Sequence, residues 1–231
     1  MKHISLVGTV HAEVGHATIP ALCSILEKIR PEVIFLEVPR DGVLEQYLNG
    51  CTTNDLESAA VKHGCAVTNA KLVAVDLPTP TADFFENYNH LQREVHGRSS
   101  DFRRLTTWDK NYVIDYGFIY LNSDRCGEMW SEIYAEMRTT IEALKDQRLV
   151  EIFEEWNRIN DLREAEWLKN ILKYCDEESF ERSVFLVGAA HRKPIIDKSK
   201  SFFAGLAESV QWDFSSAVEY AAQRQQQAAS N

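Results

Sequence analysis

The sequence predicts an α/β fold, a mainly parallel central sheet flanked by helices, with a long helical insertion between the third and fourth strands. Three observations carry this expectation. Short apolar runs with β-branched residues fall at 4–7, 33–36, 72–75 and 183–187, the pattern of strands buried on both faces. Helical patterns fill the gaps between the first three, as βαβ units require. From about residue 81 to residue 182 the chain is instead charged and helical in pattern, with no clear strand. A length of 231 residues suits one α/β domain over 1–231 with a large insertion, and it allows a sizeable core.

The elements follow in order. The first strand runs into Gly8, Thr9, Val10 and His11. Ile19, Leu22, Leu26 and Ile29 then repeat at helical spacing, with Thr18 placed to cap the helix and Pro31 to stop it. The second strand leads into Glu37, Val38 and Pro39. Residues 54–64 read as a helix that starts at Asn54 and stops at Gly64. The third strand leads into Asp76. Within the insertion, Trp108, Tyr112, Tyr116, Phe118 and Tyr120 read as core aromatics. Asp161 to Glu164 has the spacing of a capping box, with Asp161 as N-cap. That places Arg163 in a first turn, where the helix dipole disfavours its charge and invites a functional explanation. The fourth strand ends in Gly188, Ala189, Ala190 and His191. Residues 210–214 suit a fifth, edge strand, and 217–231, rich in Gln and Ala, a flexible tail of frayed helix.

Composition narrows the partners. Asp and Glu number 35 against 25 Lys and Arg, a formal charge of -10. Such a surface repels phosphate backbones and anionic lipid, so nucleic acid is not an expected partner. No apolar run approaches the roughly 18 residues of a membrane span. Met1, Lys2, His3 and Ile4 lead straight into a strand rather than a signal peptide. Cys23, Cys51, Cys65, Cys126 and Cys175 are odd in number and contain no C-x-x-C pair. Reduced thiols in a cytoplasmic protein are expected, rather than a disulfide framework or a cysteine zinc site.

Four strands end in residues able to bind a metal or move a proton: His11, Glu37, Asp76 and His191. The carboxyl ends of parallel strands share one rim, and ligands bind there where strand order reverses. With the first and fourth strands adjacent, His11 and His191 face each other across that crevice. Glu37 closes a second strand expected to flank the first, and Asp76 lies behind it. Each histidine follows a glycine by three residues, which leaves room for close approach of backbone or ligand. The competing reading makes each histidine a loop cap, and for Arg163 a surface ion pair with Glu166 or Asp161. His16 reads as an added ligand or an exposed loop histidine. Arg192 and Lys193 read as an anion site or a solvated loop.

These residues resemble the TraB/PrgY/GumN and TIKI family, within the erythromycin-esterase and ChaN-like superfamily. The resemblance rests on the segment from Leu6 to His11, on Arg30 to Val33 with Phe35, Leu36 and Glu37, on Val73 to Asp76, and on Phe185 to His191. Arg163 to Leu168 resembles the family's arginine-centred helix start. It covers the first ninety residues and roughly 160–195. The chain departs from the pattern at His16, where a serine is usual. It departs again at Asp41, where an arginine is usual, and at Trp167 and Leu168, near the place of a methionine. The resemblance implies an α/β fold with paired G-x-x-H motifs and a site glutamate. It also implies either metal-dependent proteolysis, as in TIKI proteins, or haem binding, as in ChaN-like relatives.

The leading expectation is therefore a metal-dependent hydrolase acting on peptide or amide bonds of a peptide or small molecule. His11, Glu37 and His191 would hold a divalent ion, with manganese, cobalt, zinc and iron all open. The ion would activate water. Asp76 would support a ligand or act as general base, and Arg163 would hold developing negative charge. A close variant needs no metal: one histidine, oriented by a carboxylate, activates water itself. The alternative from another class is a non-catalytic protein binding haem, a small ligand or a peptide, with tyrosines of residues 112–120 as a haem wall or axial ligand. The insertion over 81–182 is expected to cover the rim as a lid or substrate wall that delivers Arg163.

Overall fold

The computed structural model describes residues 1–40, 56–206 and 209–229. Its strands are β1 (Lys2–Thr9), β2 (Val33–Pro39), β3 (Lys71–Asp76), β4 (Arg182–Gly188) and β5 (Val210–Asp213). They form one sheet in the order β3-β2-β4-β1-β5, and every described pair is parallel. The α/β class, the β1–β4 pairing and the fifth edge strand are as the sequence predicts. One neighbour differs: β2 flanks β4, not β1. The strand carrying His191 at its end is thus inserted between those of His11 and Glu37.

Strand side chains alternate across the sheet, and both faces are buried. Val7, Ile34, Leu36, Val184 and Leu186 face one core with Leu22, Ile25 and Leu26 of α1 (Ile19–Ile29). Ile4, Leu6, Phe35, Phe185 and Val187 face the other. Thr18 caps α1, its hydroxyl accepting from the Ala21 N–H at 3.3 Å. The helix ends at Arg30 in the left-handed region, one residue before Pro31. The next helix, α2 (Leu56–Thr68), runs past Gly64. A mid-helix glycine costs only about 1 kcal/mol, against the burial of Leu56, Ala60 and Val61. Asn54, Asp41 and Cys51 lie outside the described residues. Cys23, Cys126 and Cys175 carry no disulfide.

Between β3 and β4 come α3 (Ala82–Arg98), α4 (Ser100–Tyr116), the short α5 (Phe118–Leu121), α6 (Asp124–Leu144) and α7 (Gln147–Glu177). Leu91, Phe102, Met129, Ile133 and Phe153 give these helices a core of their own. Phe118 and Tyr120 are buried, but Trp108 and Tyr116 are exposed at 44% and 49%, against the expectation of core for all five aromatics.

The helix α7 has 31 residues and spans about 46 Å at 1.5 Å per residue. Leu149 and Phe153 pack in the insertion core, while Trp167, Leu168, Ile171 and Cys175 pack on the sheet. The insertion is therefore joined to the sheet by one continuous helix. Its N-cap is Asp146, whose carboxylate accepts from Arg148 N at 3.0 Å and Leu149 N at 3.4 Å. Asp161 is not a cap, and Arg163 is mid-helical: no Gly or Pro interrupts residues 147–160, so a box-like spacing inside them starts nothing. Downstream lie α8 (Ala189–Phe202) and α9 (Ser216–Ala229). Within the expected tail of frayed helix, the described residues up to Ala229 are helical, and Ala217 and Ala221 are buried in the same core as α1. No helix among the described residues is long and apolar enough to cross a membrane.

Asn122 binds the insertion to the end of β1. Its Oδ1 accepts from Gly8 N at 2.7 Å, and its Nδ2 donates to Gly8 O at 3.1 Å. A Cβ on Gly8 would lie 2.8 Å from the Leu121 carbonyl oxygen, so glycine permits this approach. Asn122→Ala should leave both Gly8 backbone groups short of a buried partner and lower stability by about 2 kcal/mol. Urea denaturation should show a lower midpoint with an unchanged slope; an unchanged midpoint would mean that the clasp adds nothing.

Candidate functional site

His11, Glu37, Asp76, Arg163 and His191 all line one cavity of about 550 Å³, bounded by the rim of the sheet and the insertion helices. The five do not play equivalent parts.

Asp76 ends β3 at 6% exposure. Its Oδ1 accepts from Trp167 Nε1 at 2.6 Å and from Leu77 N at 2.7 Å. Its Oδ2 accepts from Arg163 Nη2 at 2.7 Å, and Arg163 Nε reaches both oxygens at 3.2–3.3 Å. A carboxylate so fully engaged orients a cation; it has no lone pair ready for general-base work.

Arg163 stands over the Trp167 ring at 4.9 Å, and its Nη1 donates to Asn160 Oδ1 at 3.3 Å. Burial works against its charge. Asp76, with Glu37 and Glu164 nearby, outweighs that and holds the guanidinium above its ordinary range. Of its five N–H donors, one on each terminal nitrogen has no hydrogen bond among the described residues. A positive group therefore faces the cavity.

His191 lies in the first turn of α8, preceded by Gly188. Its Nδ1 is 2.7 Å from Glu164 Oε1, and Glu164 Oε2 accepts from Lys198 Nζ at 2.6 Å. A carboxylate also held by a lysine accepts only, so Nδ1 is the nitrogen that donates, and in the neutral ring the lone pair belongs to Nε2. Burial disfavours the Lys198 charge, but Asp161 and Glu164 outweigh it and raise its pKa. The imidazole meets the Trp167 ring edge-on at 5.1 Å.

Glu37 sits inside β2, half-buried, with its Oε1 buried and without a hydrogen-bond partner among the described residues. A Cβ at Gly188 would meet His191 Cδ2 at 3.7 Å and Glu37 Oε2 at 3.8 Å. These are ordinary contacts, so glycine here keeps the space between the two side chains open rather than relieving a clash. His11, two residues past β1, is exposed, and its carbonyl accepts from Leu56 N at 2.9 Å.

A divalent ion would need several of these donors at once. Among the described residues no group of three or more His, Cys, Asp or Glu side chains is arranged to hold a metal ion. The oxygens of Asp76 and the Nδ1 of His191 are committed elsewhere. Among the described lining residues, Glu37, the Nε2 of His191 and the ring of His11 are candidate donors not committed in this way.

Other expected residues fall elsewhere. His16 is exposed, and the described cavity lining does not include it. Arg192 is buried and donates to the Phe214 carbonyl at 2.6 Å, while Lys193 pairs with Asp197 at 2.9 Å. Tyr112, Tyr116 and Tyr120 are not in the described lining either, and the Tyr120 hydroxyl donates to Asp109 at 2.6 Å.

Sequence reasoning missed Glu164 as the partner of His191, and Asn160, Trp167, Asn170 and Lys198 as supports. A signal existed: Asn160, Arg163, Glu164, Trp167 and Asn170 recur at spacings of three, one, three and three on one face of α7. Asp109, also in the lining, was missed with no comparable signal. Comparison with protein-family models, with curated proteins and with solved structures finds no match.

Two outcomes follow. Asp76→Ala leaves a buried guanidinium and a buried indole N–H unpaired and should destabilise the protein by about 4 kcal/mol, read from urea denaturation. Burial raises the pKa of Asp109 despite the Tyr120 hydrogen bond. The folded state therefore holds this proton above about pH 4, where the unfolded chain has released it. Its contribution should make stability fall as pH rises from there through the raised folded value. Asp109→Asn should remove that component from stability–pH curves.

Proposed function

We propose that the protein is a hydrolase of a carbonyl compound, with an amide or peptide bond as the candidate target, in which His191 activates water directly. The observation that carries this reading is the hydrogen bond from His191 Nδ1 to Glu164, which leaves Nε2 to act as the base, at a cavity that also holds Arg163. Nε2 takes a proton from water as the water oxygen bonds to the carbonyl carbon. Glu164 stabilises the imidazolium that forms. The negative charge on the carbonyl oxygen develops beside the remaining N–H donors of Arg163, in a site that Asp76 and Trp167 order. Collapse breaks the carbon–nitrogen bond, and the proton passes from His191 to the leaving amine, giving a carboxylic acid and an amine.

The Glu37 Oε1, without a partner among the described residues, favours a second reading, the metal-dependent one. Glu37 and His191 Nε2, with His11 at the mouth, would be the ligands, and the metal would supply Lewis acidity. The motif resemblance to TIKI proteins supports the same reading.

Both readings meet in one experiment: turnover of a panel of arylamides and dipeptides, followed by product analysis, with metal-stripped and metal-supplemented protein. Under the histidine reading, His191→Ala lowers kcat/KM by about a thousandfold, Glu164→Gln lowers it as well, and chelation changes nothing. Loss of activity on chelation with recovery on adding manganese or zinc selects the metal reading. Unchanged turnover in both variants overturns the proposal.

A further inference from the structure

The cavity has two unlike ends. At the rim are Glu37, Arg163 and His191; at the insertion end are Phe85, Tyr88, Trp130, Tyr134 and Trp156. Three polar atoms of that aromatic wall are engaged with one another. Trp156 Nε1 donates to the Tyr134 hydroxyl at 3.3 Å, and the Tyr134 and Tyr88 hydroxyls share a hydrogen bond. Tyr88 and Trp156 stack with planes 5° apart. The wall therefore selects by shape and apolarity, and flat rings suit it best. The rim end has the opposite character, since the buried Glu37 Oε1 accepts from nothing described. Leaving a carboxylate oxygen unmatched is costly, so a ligand whose donor draws the Glu37 carboxylate round to meet it gains over one that has none.

Resting on the hydrolase reading above, we propose that the substrates are small amides bearing an aromatic ring: the ring seats on the insertion wall, and Glu37 accepts the N–H of the scissile amide. An ester of the same shape has no such hydrogen and leaves Oε1 unpaired. A cavity of about 550 Å³ lies within the range, roughly 300–1,000 Å³, of sites for small molecules. Ring recognition by the insertion is thus separate from amide recognition by Glu37 at the rim, and each can be removed without the other.

Three probes separate these elements in calorimetric titrations of the purified protein: N-benzylacetamide, its ester counterpart benzyl acetate, and aliphatic N-butylacetamide. Chromatography of each mixture records whether the probe has been cleaved, so binding is readable even if the protein hydrolyses none of them. The amide should bind about tenfold or more tighter than the ester, and Glu37→Leu, close in size, should bring that ratio near one. Phe85 is 39% exposed, so its truncation leaves the core intact. Phe85→Ala should weaken N-benzylacetamide about three- to tenfold and leave N-butylacetamide unchanged. An ester bound as well as the amide, an aromatic preference unmoved by Phe85→Ala, or no binding of any probe overturns the proposal. Cleavage of none of them, with the binding pattern intact, counts against the hydrolase reading alone.

Discussion

The ionised carboxylate of Asp76, buried at the end of β3, is the constraint on which the site depends. A charge there is tolerable only if paired and hydrogen-bonded. Arg163, Trp167 and the Leu77 backbone N–H meet that demand together. One turn on, Asn170 Nδ2 donates to the Val75 carbonyl at 2.8 Å. Successive turns of α7 are thus stitched to one strand end, and the rotation of the helix about its axis is fixed. Glu164, the residue after Arg163, is then directed toward α8 and its first-turn histidine. Lys198 completes the arrangement by balancing the Glu164 carboxylate.

Trp167 links the parts. It is fully buried, donates to Asp76, underlies the Arg163 guanidinium and meets His191 edge-on. A single side chain thereby sets the spacing between the cavity's cation and its imidazole. The same α7 carries Leu149 and Phe153 into the insertion core and Leu168 and Ile171 into the sheet core. One continuous helix thus runs from the aromatic wall to the rim.

Much of the fold was legible because buried parallel strands advertise themselves as apolar runs, and their ends as changes of chemistry. His11, Glu37, Asp76 and His191 were found on that ground, and they share a cavity. What misled was local pattern without tertiary context. Asp161 to Glu164 has the spacing of a capping box but lies within a continuous helix. The position of β2 beside β4 is decided by sheet packing between segments about 150 residues apart, which no local signal encodes. The partner of His191 was hidden for a different reason. Glu164 is one acid among many on a charged helix, and only the rotation imposed by Asp76 separates it from its solvated neighbours. Asp109 is similarly ordinary in sequence and acquires its raised pKa only through burial beside Tyr120.

The central claim is that Glu164 fixes the His191 ring with the proton on Nδ1 and the lone pair of Nε2 in the cavity. Long-range ¹⁵N–¹H correlation spectra of the histidine rings at neutral pH, assigned with His191→Gln, test this most directly. The account predicts a protonated, strongly hydrogen-bonded Nδ1 and an unprotonated Nε2 for His191, with Glu164→Gln perturbing that pattern. A ring protonated on Nε2, or one insensitive to Glu164→Gln, would contradict it.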